Sequence, residues 1–530
     1  MHPDDGDRST AASSRWRIAV TAERRVIDVV ELGVADAQRA LEHRDYTSRD
    51  LTQAYLDRIA TIDRSGPTLN SIIELNAAAL DDADRLDTER SQGRVRGPLH
   101  GIPILLKDNI DAIGMVNSAG SLALAHHRPK HDAFVTTRLR EAGAIILGKT
   151  NLSEWANFRG RRSTSGWSSR GGQTKNPYVL DRNTSGSSSG TAAAIAASLA
   201  TVGVGTETNG SIISPSGLCG LVGLKPTVGL VSRSGIIPIS ISQDTAGPMG
   251  RTVADVAALL NALVGFDRAD PAGAAGLLRI DTDYRAHLDA SALDGKRIGI
   301  ARPSLGLNAA IDTAMDRAVE AMTAAGATAV EIDVGDGSWN RVAFDVLLYE
   351  FKDGIDAYLA RNGLVPSSLA ELIEWNARHR DVVMPWFGQE LFERAQAKGP
   401  LTDREYLDAR EKSLALARAG LAKLDEHRLD AFVQASNGPA WVTDLLLGDY
   451  GIGVGAGIAA VAGTPSLTVP IGDSHGLPLG MTFIGRAFAE PTLIELAYAF
   501  ECATRARRAP QFIPSLALGS IAGSAADAHR

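Results

Sequence analysis

The chain has 530 residues, 44% hydrophobic and 22% charged, the composition of an ordinary globular protein long enough to bury a large core. A formal net charge of −8 counts against a nucleic-acid partner, which needs a basic surface. Two cysteines far apart, Cys219 and Cys502, count against a disulfide framework and a thiolate metal site, and fit a reducing compartment.

Residues 1–25 read as a disordered or weakly attached segment. Ile18-Ala19-Val20 is too short for the apolar part of a secretory signal, and Arg24-Arg25 is followed by Asp28 and Glu31, where a twin-arginine signal needs an apolar run. The uncharged run from Gly451 to Gly472 is broken by glycine and proline, so it reads as buried loop and strand, not a membrane span. The expectation is a cytoplasmic protein with no membrane partner.

Thr47-Ser-Arg-Asp50 has the form of a helix start, and Leu51, Tyr55, Ile59 and Ile62 follow at helical spacing. Ala77 to Arg90 reads as a second, more charged helix. Ile102 to Leu106 is a short apolar run after a glycine, a buried strand that delivers Lys107 at its end. A lysine there loses hydration, which lowers its pKa and favours the neutral form that a general base requires; a lysine reaching the surface from a strand end is the plainer alternative.

His126, His127, His131 and Asp132 have metal-like spacing, but Pro129 breaks any helix that would align them, so they read as a loop. Gly143-Ala-Ile-Ile-Leu-Gly148-Lys149-Thr150 matches the phosphate-loop pattern by letter. Its middle positions are apolar where a glycine-rich turn is needed, so Ala144 to Leu147 reads as a strand and nucleotide binding is rejected.

The densest stretch runs from Thr184 to Thr227. Serine and glycine crowd both ends around a small-residue run, Ala192 to Ala200, of helix-forming composition that can pack closely on a sheet. Farther on, Arg297 to Ala301, Asn308 to Ala324 and Thr328 to Val334 form a strand–helix–strand pattern. Residues 350–428 are mostly helical and charged, and Trp375 and Trp386 among them read as core tryptophans behind a solvated helical face. Strands at Thr464 to Pro470 and Met481 to Ile484 precede a helix over Pro491 to Arg507. Although the length would fit about three domains, no repeat or clean linker interrupts Val29 to Leu516. The expected organisation is a single α/β domain over 26–518, with a flexible tail at 519–530.

Three motifs carry a family resemblance: Gly186-Ser187-Ser188-Ser189-Gly190, Thr206-Glu207-Thr208-Asn209-Gly210-Ser211, and Gly101-Ile-Pro-Ile-Leu-Leu-Lys107-Asp-Asn. In type and spacing they resemble the amidase signature family, serine hydrolases that cleave carboxamides. The resemblance covers roughly Val29 to Leu516 and implies an α/β/α sandwich with a large mixed central sheet. It assigns Ser211 as nucleophile, Ser187 as bridging serine after a cis Gly186–Ser187 bond, and Lys107 as base. It also places an oxyanion hole in the backbone of Thr208, Asn209, Gly210 and Ser211, and makes 350–428 an insertion shaping a substrate funnel. Asn209 stands where the family has glycine. Asn151-Leu-Ser-Glu-Trp-Ala-Asn-Phe158, Trp167-Ser-Ser-Arg-Gly-Gly-Gln173-Thr-Lys-Asn-Pro-Tyr178 and Ser240-Ile-Ser-Gln-Asp-Thr-Ala-Gly-Pro248 look like the peptide amidase branch.

The implied reaction is hydrolysis of a small-molecule or short-peptide amide, C-terminal peptide amides among the candidates, by a monomer or homodimer needing no metal or organic cofactor. Two alternatives stand beside it. One is a glutamine-hydrolysing A-type subunit of a tRNA-dependent amidotransferase, which shares the signature. The other is an α/β-hydrolase esterase, because Gly186 to Gly190 is also a G-x-S-x-G match that would make Ser188 the nucleophile with Asp444 and His475. Tyr178 to Thr184 is too polar for the strand such an elbow requires.

Overall fold

The structure, a computed structural model, describes residues 27–277, 279–281, 283–302, 308–451 and 455–516. The expected N-terminal segment at 1–25 and the tail at 519–530 lie outside the described residues.

Among the described residues eleven strands form one mixed sheet. From one edge the order is Ile72–Leu75, Ile145–Thr150, Pro103–Lys107, Val202–Glu207, Thr245–Gly250, Val222–Lys225, Ser466–Ser474, Leu477–Ile484, Ala431–Ala435, Arg297–Ala301 and Thr328–Ile332. Pro103–Lys107 runs parallel to both neighbours, Ile145–Thr150 and Val202–Glu207. Antiparallel pairing takes over across Thr245–Gly250, Val222–Lys225 and the hairpin Ser466–Ile484, and the far edge returns to parallel pairing. The central strands are buried along their whole length, which explains their continuous apolar or small-residue runs. Helices cover the sheet, as the α/β/α expectation required.

Local sequence accounts for many element boundaries. Thr47 and Asp50 form a reciprocal capping box that starts the helix Ser48–Arg58. Asn308 caps the helix Ala309–Ala324 through its side chain. The phosphate-loop-like letters fall in the strand Ile145–Thr150, with Lys149 fully buried.

Other boundaries were set at a distance. The small-residue run does not form a helix over Ala192 to Ala200; the helix is Ser189–Ala196, entirely buried. Its C-terminal carbonyls are collected by three arginines from elsewhere: Arg58 on Ala197, Arg251 on Ile195 and Ala200, and Arg507 on Ala196. Those donors satisfy the last turn and let the chain bend into Val202–Glu207. Close approach of helix and strand needs Gly205, where a Cβ would stand 2.7 Å from Met249 Sδ and 2.9 Å from Ser188 Oγ.

The helical region begins at Ser338, before the expected boundary at 350, with the long helix Ser338–Arg361. Phe351 from that helix stacks on Phe392 and packs against Phe158 in one apolar cluster with Trp155. Trp375 and Trp386 are not core residues: the first stacks on His379, and the second is 41% exposed. Among the described residues no helix is long and apolar enough to cross a membrane.

Candidate active site

Lys107 ends its strand fully buried, and its neighbour Val202–Glu207 brings Thr206 alongside. Lys107 Nζ lies 2.8 Å from Ser187 Oγ, 2.9 Å from Thr206 Oγ1 and 3.2 Å from the Thr206 carbonyl. Burial is the main influence on this lysine and pulls its pKa down from 10.5 to about 7; Asp244 and Glu207 oppose that pull with their negative charge. A neutral amine has two N–H groups and one lone pair. Thr206 takes both N–H groups, which leaves the lone pair facing the hydroxyl of Ser187. Asn109 steadies the same threonine, its Nδ2 donating to Oγ1 at 2.9 Å.

The Gly186–Ser187 bond is cis. Ser211 is 9% exposed, whereas Ser187 and Lys107 are wholly buried. No hydrogen bond closes Ser187 to Ser211 among the described residues; the two segments are tied through the backbone, the Ser188 amide donating to the Ser211 carbonyl at 3.2 Å. Gly210 has φ of +88°, a conformation that favours glycine, and it turns the loop between Glu207 and Ser211. Glu207 Oε2 accepts from the amides of Ile212 and Ile213 at 2.7 and 3.0 Å, pinning the next turn. Among the described residues the amides of Thr208, Asn209, Gly210 and Ser211 donate to no protein acceptor. Four free donors on one loop beside a largely buried serine suit a developing oxyanion.

Two cavities meet at this loop. One, of about 240 Å³, is lined by Ser187, Thr206 and Asp244 with an isoleucine wall from Ile236 to Ile241. The other, of about 340 Å³, is lined by Ser211, Gly210, Trp441, Asn437 and Phe344. Helix Ser338–Arg361 contributes Tyr358 to the first and Phe344 and Leu347 to the second, so the helical region does border the site.

The esterase arrangement is not assembled. Ser188 Oγ is fully buried, donates to the Thr206 carbonyl at 3.1 Å and accepts from the Thr206 amide at 3.2 Å, so it fastens the helix to the strand. His475 stands exposed in the hairpin turn beside Ser474, and Asp444 accepts from the amides of Leu446 and Leu447. Likewise, His127 bonds Tyr358 and Asp132 pairs with Arg140; among the described residues no group of side chains is placed to hold a metal ion. Lys149 is engaged by the carbonyls of Ile110 and Val116, by Asn117 and by the buried Asp108 at 3.3 Å, leaving nothing free for phosphate.

Two residues at this site were given no role by sequence reasoning. Thr206 shares the lysine's hydrogen bonds, and Asp244 holds the loop through Thr208. The available signal for Asp244 was a lone carboxylate between a serine/isoleucine run and a strand of small residues.

A broad mixed sheet wrapped by helices, with Lys107 and Ser187 in contact at its buried centre, fits an enzyme that hydrolyses amide bonds. The chain belongs to the amidase family: the family model described as Amidase matches residues 50–494. A probable amidase of Arabidopsis thaliana is 40% identical over 95% of both chains. The crystal structure of native peptide amidase from Stenotrophomonas maltophilia is 51% identical, covers 91% of this chain and 99% of its own, and superimposes with a TM-score of 0.88. The A subunit of glutamyl-tRNA(Gln) amidotransferase from Thermosynechococcus vestitus is 34% identical over 89% of this chain and 98% of its own.

Proposed function

We propose that this amidase hydrolyses carboxamides, C-terminal peptide amides among them, through an acyl-enzyme on Ser211. The observation that carries the reading is the 2.8 Å contact between Ser187 Oγ and a buried Lys107 Nζ whose pKa has fallen to about 7. A serine hydroxyl is a weak nucleophile until a base takes its proton. Ser211 Oγ attacks the amide carbon and passes its proton to Ser187, which passes its own to Lys107. The carbonyl oxygen gains the negative charge and is met by the free amides from Thr208 to Ser211. As the C–N bond breaks, Ser187 returns a proton to the nitrogen, so ammonia or an amine departs. Water then attacks the ester along the same relay and releases the carboxylate. Likeness to the Stenotrophomonas peptide amidase over nearly the whole chain supports the peptide-amide substrate class.

The test is ammonia release from a C-terminally amidated dipeptide by the purified chain and by Ser211→Ala. Release by the native chain alone supports the reading, and release by both removes Ser211 as nucleophile. A native chain that ignores the peptide amide and releases ammonia from glutamine only with partner subunits favours the amidotransferase alternative.

A further inference from the structure

We propose that Asp244 is a positioning residue of this site: its carboxylate ties the oxyanion loop to the isoleucine wall of the cavity and sets the charge environment in which Lys107 works. The inference rests on the Ser211–Ser187–Lys107 reading and adds a fourth group that this reading does not use.

The geometry begins with strand register. Glu207 pairs with Thr245, so the residues just beyond the two strand ends, Thr208 and Asp244, are brought side by side. Asp244 Oδ1 accepts from Thr208 Oγ1 at 2.5 Å. Oδ2 accepts from the amides of Ile239 and Ser240, both at 2.8 Å, and the Asp244 amide closes the same turn on the Ser240 carbonyl at 3.0 Å. One carboxylate thus joins the loop of four free amides to the wall opposite it. Ser240 Oγ continues the chain to the buried Glu350 of helix Ser338–Arg361, and Tyr406 holds the other oxygen of Glu350 at 2.8 Å. Thr208, Asp244 and Ser187 line one cavity. A displacement of the oxyanion donors by a fraction of an ångström is costly in rate, so a tether at Thr208 has kinetic consequences.

The charged groups around Asp244 are Lys107 across the sheet, Glu207 on the neighbouring strand, Glu350 beyond Ser240, and Arg233, Asp270, Asp353 and Arg361 lining the same cavity, with Arg233 paired to Asp270. Burial raises the Asp244 carboxyl to about 6, against the pull of its hydrogen bonds and of Arg233. The ionised carboxylate favours the protonated form of Lys107. Removing that charge without changing shape makes the lysine easier to deprotonate.

The experiment measures kcat and KM across pH for a peptide amide with the native enzyme, Asp244→Asn, Thr208→Val, Thr208→Ser and Lys107→Met. Asp244→Asn is expected to lower kcat about tenfold or more while KM stays within about threefold, because the tether acts on the reacting carbonyl. It also moves the acid limb of kcat/KM down by about half a pH unit or more. Thr208→Val cuts the tether and keeps the carboxylate, so kcat falls while the acid limb moves less than in Asp244→Asn. Thr208→Ser keeps the hydroxyl and restores kcat. An Asp244→Asn enzyme with native kcat, or with its acid limb unmoved, overturns the proposal. If Asp244→Asn fails to fold, the threonine pair decides: equal kcat in Thr208→Val and Thr208→Ser overturns it. A Lys107→Met enzyme of native activity would bring down the underlying triad reading instead, a distinct result.

Discussion

Thr206 meets Lys107 Nζ twice, with its carbonyl at 3.2 Å and its hydroxyl at 2.9 Å. Those two contacts occupy the N–H groups of a neutral amine and point its lone pair at Ser187. Adjacent parallel strands hold both residues, so the orientation of the amine is a property of the sheet.

The first expectation concerns pH. Protonated Lys107 has no lone pair, so activity should be absent at acid pH and rise through a midpoint near its lowered pKa of about 7. The profile of kcat/KM checks this. Lys107→Met should lower kcat by about a thousandfold or more at every pH.

Ser188 should behave unlike its neighbours. Its hydroxyl bonds the backbone of Thr206 in both directions, so Ser188→Ala loses two structural hydrogen bonds and no reacting group. A loss of stability of about 1–3 kcal/mol is expected, read as a lower Tm, with acyl-enzyme chemistry retained.

Lys149 is a buried cation facing the buried carboxylate of Asp108. Lys149→Met leaves that carboxylate paired with Arg170 alone, and a loss of stability of about 1–3 kcal/mol is expected, measured by denaturant unfolding. Added nucleotide should shift the melting of the native chain by nothing measurable, because every donor of Lys149 is already taken.

Phe351 stacks on Phe392 of the same helical region and joins that region to Phe158, with ring centroids 5.2 and 4.9 Å away. Phe351→Ala should destabilise by about 3–5 kcal/mol. Because its helix also supplies Phe344 and Tyr358 to the cavities, KM for a peptide amide should rise alongside the fall in Tm.

Much of this was legible in the sequence because it depended on local signals. A strand ending in Lys107, the capping box at Thr47 and the motifs around Ser187 and Ser211 each sit within a few residues of one another, and the strand and helix appear where they were expected. What was not legible depended on contacts remote in the chain. The helix after Ser188 stops at Ala196 because Arg58, Arg251 and Arg507 claim its carbonyls, and no pattern inside Ala192 to Ala200 reveals that. Thr206 gains its role from pairing with the strand that carries Lys107, and Asp244 from the register that sets it beside Thr208. Tryptophans in a charged helical stretch suggested core or funnel; Trp386 packs at the surface because its segment, between short helices, presents it outward.

In the proposed reaction Ser211 carries the acyl group. Rapid acid quench of the enzyme during turnover of a peptide amide, followed by digestion and fragment mass spectrometry across 183–225, locates the adduct directly. An acyl mass on Ser211 that disappears in Ser211→Ala is expected. An acyl mass on Ser188, or one that persists in Ser211→Ala, would rule out Ser211 as the nucleophile.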